Sequence, residues 1–394
     1  MKIAKKLLCS IPIVLSIYGC DFVFETPSNS ISSEEFSETN SEIISNSEEI
    51  SNESETKEEL IKEYTTKSYS NPIFSSSELA DPAGIYCKED NCYYMVSTGG
   101  KILKSKNMVY WYPRNNAFAS IPSWGTPGAG LWAPDIQYID NKYVMYYSLS
   151  VWGDSNPGIG VASAPHPDGP WTDHGKLFTS NEIGVNNSID PMVYVDFDGK
   201  VYMVWGSMRG NYMIELNSDG LSIKNGVQYA KNNKIRVAGK DTQFQWDVDT
   251  YEGAYIIYEN GYYYLFLSMG TCCEGLNSSY KVVVGRSRTI TGPYLDDKLR
   301  DLKNPGTGKV VLDKGDYFVG SGHNCILKDQ NNEYFIYYHT YSQDHIAYRV
   351  LAMDYMYFDE NGWPCVENNK ASQGTKEKGP TTFSYIKKVI EEVN

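Results

Sequence analysis

Five short aromatic runs punctuate this chain, and their spacing confines it to a repeated all-β architecture. They are CYYMVS ending at Ser97, KYVMYYS ending at Ser148, KVYMVWGS ending at Ser207, GYYYLFLS ending at Ser268 and YFIYYHT ending at Thr340. Each follows residues that tolerate positive φ, such as Asp140 and Asn141 or Asn260 and Gly261, so each reads as the second strand of a hairpin. Successive runs begin roughly 50 to 70 residues apart, room for four strands and a functional loop, which is one blade of a β-propeller. Five units predict five blades. Helical periodicity is nearly absent until residues 384–393, which disfavours α/β architectures. A β-sandwich shares the alternation but leaves one further regularity unexplained.

That regularity is a repeated position ahead of each hairpin. Counting 16 or 17 residues back from the end of each run gives Asp81, Trp132, Asp190, Glu252 and His323. In a propeller the first strand of each blade lines the central channel, so residues heading those strands collect at one mouth of it. Three carboxylates, an imidazole and an indole would then face one another. Paired carboxylates serve as general acid and base when their environments push their pKa values apart, and a third negative charge nearby does this. Asp81 and Asp190 each precede proline, a position that also caps turns, so their common register carries the functional reading. The 33 Tyr and 8 Trp residues offer flat faces for stacking on sugar rings, and carbohydrate is the expected substrate class. Most of those tyrosines are expected in strand packing.

Both ends of the chain lie outside this repeat. Residues 1–20 combine Lys2, Lys5 and Lys6 with an apolar stretch too short to span a bilayer, the pattern of a secretory signal. Gly19 before Cys20 resembles a lipobox, which would make Cys20 a lipidated membrane anchor; a plain signal peptide is the simpler alternative. Residues 21–66 form a polar linker with 13 acidic and 2 basic residues, which is most of the net charge of −14. Such composition cannot bury a core, and disorder is expected. The lack of a strongly basic patch argues against a nucleic-acid partner, and none is expected. The catalytic domain is assigned to 67–366 and a C-terminal extension to 367–394. Cys87 and Cys92 flank the first hairpin turn and could pair across it, or stay reduced and buried; Cys272 and Cys273 are adjacent. No zinc-type Cys/His spacing is present.

The segments LWAPDI (131–136), NSIDP (187–191), YEGAYI (251–256), GTCCEGLNSSYKVVVGRS (270–287) with TGPY (291–294), and SGHN (321–324) resemble endo-α-1,5-L-arabinanases of glycoside hydrolase family 43. The likeness runs from about residue 70 to 365 and implies a five-bladed β-propeller that cleaves internal arabinan linkages with inversion. By it, Asp81 is expected as general base, Glu252 as general acid, and Asp190 as the group that raises and orients the acid. Asn187, Ser188, Ile189, Ser207 and Gly153 are expected to contact the sugar, with Trp132 in the sugar-facing wall and Asp135 a structural carboxylate. His323 matches the histidine that, with waters, surrounds a central ion, usually calcium. The expected partners are plant cell-wall arabinan or its oligosaccharides, met by a secreted or surface-anchored monomer. One departure is Ala80, where many endo-acting relatives carry histidine before the base. Exo-acting arabinofuranosidases and β-xylosidases of the family are therefore the first alternative, and a non-catalytic glycan-binding propeller the second.

Overall fold

The computed structural model describes residues 57–240 and 250–390. Five antiparallel sheets, each of four consecutive strands, follow one another along the chain. Blade one holds β2 (Ala83–Cys87), β3 (Cys92–Ser97), β4 (Lys101–Ser105) and β5 (Tyr112–Pro113); blade two holds β6 (Gly130–Ile139), β7 (Lys142–Ser150), β8 (Gly158–Ala164) and β9 (Thr172–Thr179). Blade three is β10 (Met192–Val195), β11 (Val201–Trp205), β12 (Asn211–Leu216) and β13 (Ile235–Ala238), and blade four is β14 (Tyr251–Glu259), β15 (Tyr262–Met269), β16 (Lys281–Ser287) and β17 (Lys309–Leu312). Blade five comprises β18 (Phe318–Lys328), β19 (Tyr334–Ser342), β20 (His345–Phe358) and β21 (Pro364–Cys365). The first strands β2, β6, β10, β14 and β18 touch in a closed ring, which makes the molecule a five-bladed propeller.

This closure explains why the aromatic runs are apolar at nearly every position instead of alternating. Each run is the second strand of its blade and is covered on both faces by neighbouring blades. On β3, Tyr93 and Met95 enter the core shared with blade five, while Tyr94 and Val96 enter the core shared with blade two. On β19, Phe335 and Tyr337 face blade one, while Ile336 and Tyr338 face blade four. Burial of each such side chain stabilises by about 1.5–3 kcal/mol, so the propeller is held by five inter-blade cores and not by one centre.

Among the described residues, no blade mixes strands from the two ends of the chain. Blades five and one meet through their shared core and through the segment entering blade one, where Asn71 Nδ2 donates to Met353 O at 2.8 Å and Ile73 N to Leu351 O at 2.9 Å.

Two expectations are corrected at the ends. The linker was expected to run to residue 66, but Lys57–Thr66 is a strand, β1, paired antiparallel with β22 (Thr381–Ile390) from Lys57↔Ile390 to Thr66↔Thr381. The C-terminal segment is likewise extended and not helical. Each strand supplies the other's backbone partners from more than 300 residues away, a pairing that local composition does not register. The expected signal segment, Cys20 and the linker as far as residue 56 lie outside the described residues.

Candidate active site

One residue at the head of each blade adopts the left-handed backbone region: Asp81 (φ 56°), Ala133 (φ 41°), Asp190 (φ 59°), Gly253 (φ 57°) and His323 (φ 50°). Ala133, Gly253 and His323 lie in register breaks of β6, β14 and β18, and Asp81 and Asp190 stand just ahead of β2 and β10. For a residue with a side chain this backbone costs about 1–3 kcal/mol and needs external support. The preceding blade supplies it. The Ala133 N–H donates to Thr98 Oγ1 at 2.9 Å, Asp190 N–H to Ser148 Oγ at 2.9 Å, His323 N–H to Ser268 Oγ at 2.7 Å and Asp81 N–H to His339 Nδ1 at 3.1 Å. At the remaining junction the Gly253 N–H lies close enough to the Asp190 carboxylate to favour its charged form.

The repeated position counted from sequence is therefore off by one in two blades. The structural equivalents of Asp81, Asp190 and His323 are Ala133 and Gly253, while Trp132 and Glu252 precede these by one and pair directly with Ser148 and Ser268. The hairpin turns differ in length, so counting back from the aromatic run cannot locate the bulge. Gly253 has a further reason to lack a side chain: a Cβ there would stand 3.1 Å from the His323 ring. That space holds the imidazole between the first strands of blades four and five.

The three carboxylates open into one cavity of about 900 Å³, whose lining includes Asp81, Trp132, Asp190, Ser207, Glu252 and His323. Asp81 Oδ2 accepts from Thr98 Oγ1 at 2.5 Å. Its Oδ1 lies 3.1 Å from His339 Nδ1, 3.3 Å from His323 Nδ1 and 3.7 Å from Arg349 Nη1. Burial pushes this carboxyl up, but His323, Arg349 and His339 outweigh it and hold Asp81 well below the usual carboxylate range.

Glu252 and Asp190 go the other way. Both are more than nine-tenths buried, at 8% and 7% exposure. Glu252 is raised chiefly by burial, against donors to its charged form: Ser207 Oγ to Oε2 at 2.6 Å and Tyr280 OH to Oε1 at 2.8 Å. Asp190 is raised well above the ordinary range by burial, then by the charges of Glu252 and Asp81. One carboxylate is thus kept ionised while a neighbouring pair retains a proton, the division that acid–base chemistry on one substrate requires.

The other expected residues divide. Trp132, Gly153, Asn187, Ile189 and Ser207 line the cavity. Asn187 Nδ2 donates to Ser207 O at 3.1 Å and to Ser207 Oγ at 3.0 Å, which orients the hydroxyl that meets Glu252. Ser188 is not brought to the cavity: it is fully buried, its hydroxyl donating to Val185 O and accepting from Trp205 Nε1. Asp135 is buried between blades two and three, accepting from Val193 N at 2.8 Å. Thr98, Tyr280, His339 and Arg349 were missed. The visible signal was His339, a polar residue inside an otherwise apolar run. Cys272 and Cys273 are bonded to each other on the cavity wall, whereas Cys87 and Cys92 are free thiols.

The profile of the glycosyl hydrolases family 43 matches residues 69–364. The chain is 31% identical over 307 residues to an extracellular exo-α-(1→5)-L-arabinofuranosidase of Cellvibrio japonicus, covering 74% of this chain and 87% of that protein. It is 32% identical over 304 residues to the extracellular endo-α-(1→5)-L-arabinanase 1 of Bacillus subtilis, covering 74% and 88%. Among solved structures, the Cellvibrio cellulosa α-L-arabinanase complexed with arabinohexaose superposes with a TM-score of 0.67 at 30% identity, over 75% of this chain and 96% of that one.

Proposed function

This chain belongs to the glycosyl hydrolases family 43, and we propose that it hydrolyses internal α-1,5-L-arabinofuranosyl linkages of arabinan with inversion of configuration. The observation that carries the proposal is the opposed ionisation in one cavity: Asp81 pushed down, Asp190 and Glu252 pushed up. Asp81 stands on blade one and Glu252 on blade four, which are not neighbours in the ring. Inversion needs a water between base and sugar and carboxyl groups roughly 6.5–9.5 Å apart. The ionised Asp81 takes a proton from that water as its oxygen attacks the anomeric carbon. Glu252 gives its proton to the departing glycosidic oxygen. Asp190 sustains the protonated state of the pair, and Ser207 and Tyr280 receive the carboxylate left on Glu252.

A cavity near the upper end of the ordinary ligand-site range supports more than one bound sugar unit, and hence internal cleavage. Ala80 and the exo-acting relative favour the second reading, release of single arabinose units from a chain end. Two measurements on linear arabinan test the proposal. Proton NMR of the first product should show the inverted anomer, and early digests should show a ladder of oligosaccharides. Retained configuration overturns the single displacement; arabinose alone assigns the exo reading. Binding without turnover would make the chain a glycan-binding propeller.

A calcium ion held by His323 through water fits the centre of the ring. His339 Nε2 and both polar side-chain atoms of Asn324, next to His323, are buried without a partner among the described residues. When bound there, calcium would favour the ionised form of nearby carboxylates. The extracellular names of the relatives support export, and the proposal includes a monomer anchored through lipidated Cys20. Mass spectrometry of the N-terminal peptide from a membrane fraction tests the anchor.

A further inference from the structure

Far from the cavity, three side chains of the kinds that bind transition metals converge where blades one and two meet. Cys87 closes β2 at the end opposite Asp81, Glu89 follows in the hairpin turn, and His166 arrives on the loop between β8 and β9. One ligand atom from each lies within 4.8 Å of the other two. The thiol is wholly buried and stands 3.4 Å from Glu89 Oε2, which is 3.5 Å from Tyr143 OH.

The surroundings are unevenly satisfied. Asp90 Oδ2 accepts from Lys104 Nζ and Tyr94 OH, both at 2.6 Å, and lies 3.5 Å from His166 Nε2, yet Asp90 Oδ1 is buried with no partner among the described residues. Cys92 pairs directly with Cys87 across the strands, its thiol 3.2 Å from Asp90 O. His166 Nδ1 accepts from Asp168 N at 3.2 Å. Hydrogen bonding inside the cluster thus leaves one carboxylate oxygen and two adjacent thiols without a strong partner.

We propose that Cys87, Glu89 and His166 form a binding site for a divalent metal of the zinc class, with a water completing its four ligands. A thiolate with an imidazole selects zinc or cobalt(II) over calcium or magnesium, which prefer all-oxygen sites. Binding releases the Cys87 proton to solvent, and the two positive charges meet the thiolate and the Glu89 carboxylate. Asp90 Oδ2 is already balanced by Lys104. The ion would tie the first hairpin of blade one to blade two, adding to the apolar packing of Val96, Ile102, Ile136 and Met145 and to the contacts of Asp168 with Arg114 and Tyr94. None of the three ligands lines the cavity, so the site is separate from hydrolysis.

The test uses the full chain, stripped of metal by chelator and titrated with cobalt(II). The expected result is one equivalent bound with a thiolate-to-cobalt charge-transfer band, displaced by zinc, and a higher Tm in the zinc-loaded protein. Cys87→Ser should abolish the band and the Tm rise while leaving arabinan turnover unchanged; His166→Ala, in a half-buried loop residue, should weaken both if Cys87→Ser folds poorly. Absence of the band, a band that survives Cys87→Ser, or a Cys87–Cys92 disulfide in the mass of the native protein overturns the proposal.

Discussion

The Tyr280 hydroxyl donates to Glu252 Oε1 at 2.8 Å while its ring stacks on His339, with centroids 5.6 Å apart and planes 13° from parallel. One side chain thereby touches the residue assigned as acid and the imidazole that abuts Asp81. Its hydrogen bond favours ionised Glu252 and works against the rise imposed by burial. Tyr280→Phe removes that donor, so the acid should hold its proton to higher pH. A hydrogen bond to a charged group contributes about 1.5–3 kcal/mol, so the alkaline limb of the kcat/KM profile should move up by about one to two pH units. An unmoved limb would show Tyr280 to be packing alone.

Glu252→Gln should lower turnover of arabinan by about 10²–10⁴-fold with the circular dichroism spectrum unchanged. Aryl arabinosides whose leaving group departs without a proton should lose far less. Equal losses on both substrates would remove Glu252 from the role of acid.

Gly253→Ala should destabilise by about 1 kcal/mol or more, because its φ is 57° and the new Cβ would stand 3.1 Å from the His323 ring. Gly199 provides the control, with φ 77° and nothing within 4 Å of a Cβ. Gly199→Ala carries the backbone penalty without the crowding, so turnover should fall only in the Gly253 variant. Parallel Tm and rate measurements separate the two effects.

Asp135 gives a prediction about stability. Burial raises its carboxyl to about 6, against the bond from Val193 N and that from Gln137. The folded state then binds this proton more tightly than the unfolded chain, so the contribution is full below pH 4 and is lost as pH rises through about 6. Asp135→Asn keeps an acceptor for Val193 without the charge. It should raise stability at pH 7 by about 2–3 kcal/mol and flatten this part of the pH dependence, as followed by urea unfolding between pH 4 and 7. Equal pH profiles for both proteins would place the titration elsewhere.

The propeller was legible because its second strands are sandwiched between neighbours, which forces residues such as Tyr94, Tyr146 and Tyr338 to be apolar on both faces. Asp81, Asp190 and Glu252 were legible because they head strands that must converge. The exact register was not, since the bulge at Ala133 is fixed by a hydrogen bond from another blade and that at Gly253 packs against the His323 ring of the next. Tyr280 and Thr98 were hidden because they stand outside the apolar positions of the aromatic runs and reach Glu252 and Asp81 only through the fold of their own blades. Ser188 shows the converse, a residue inside a recognisable motif whose hydroxyl is consumed by the scaffold.

Asp81 belongs to blade one, but His323, His339 and Arg349 beside it all come from blade five. Those blades are joined without a shared strand, so the place where they meet is also where the proposed base, Asp81, is kept ionised. The clasp and the chemistry are one device. A molecule sprung open there would keep all five sheets and most of its spectroscopic signature, yet be unable to activate water, so loss of activity on warming should run ahead of loss of β-structure.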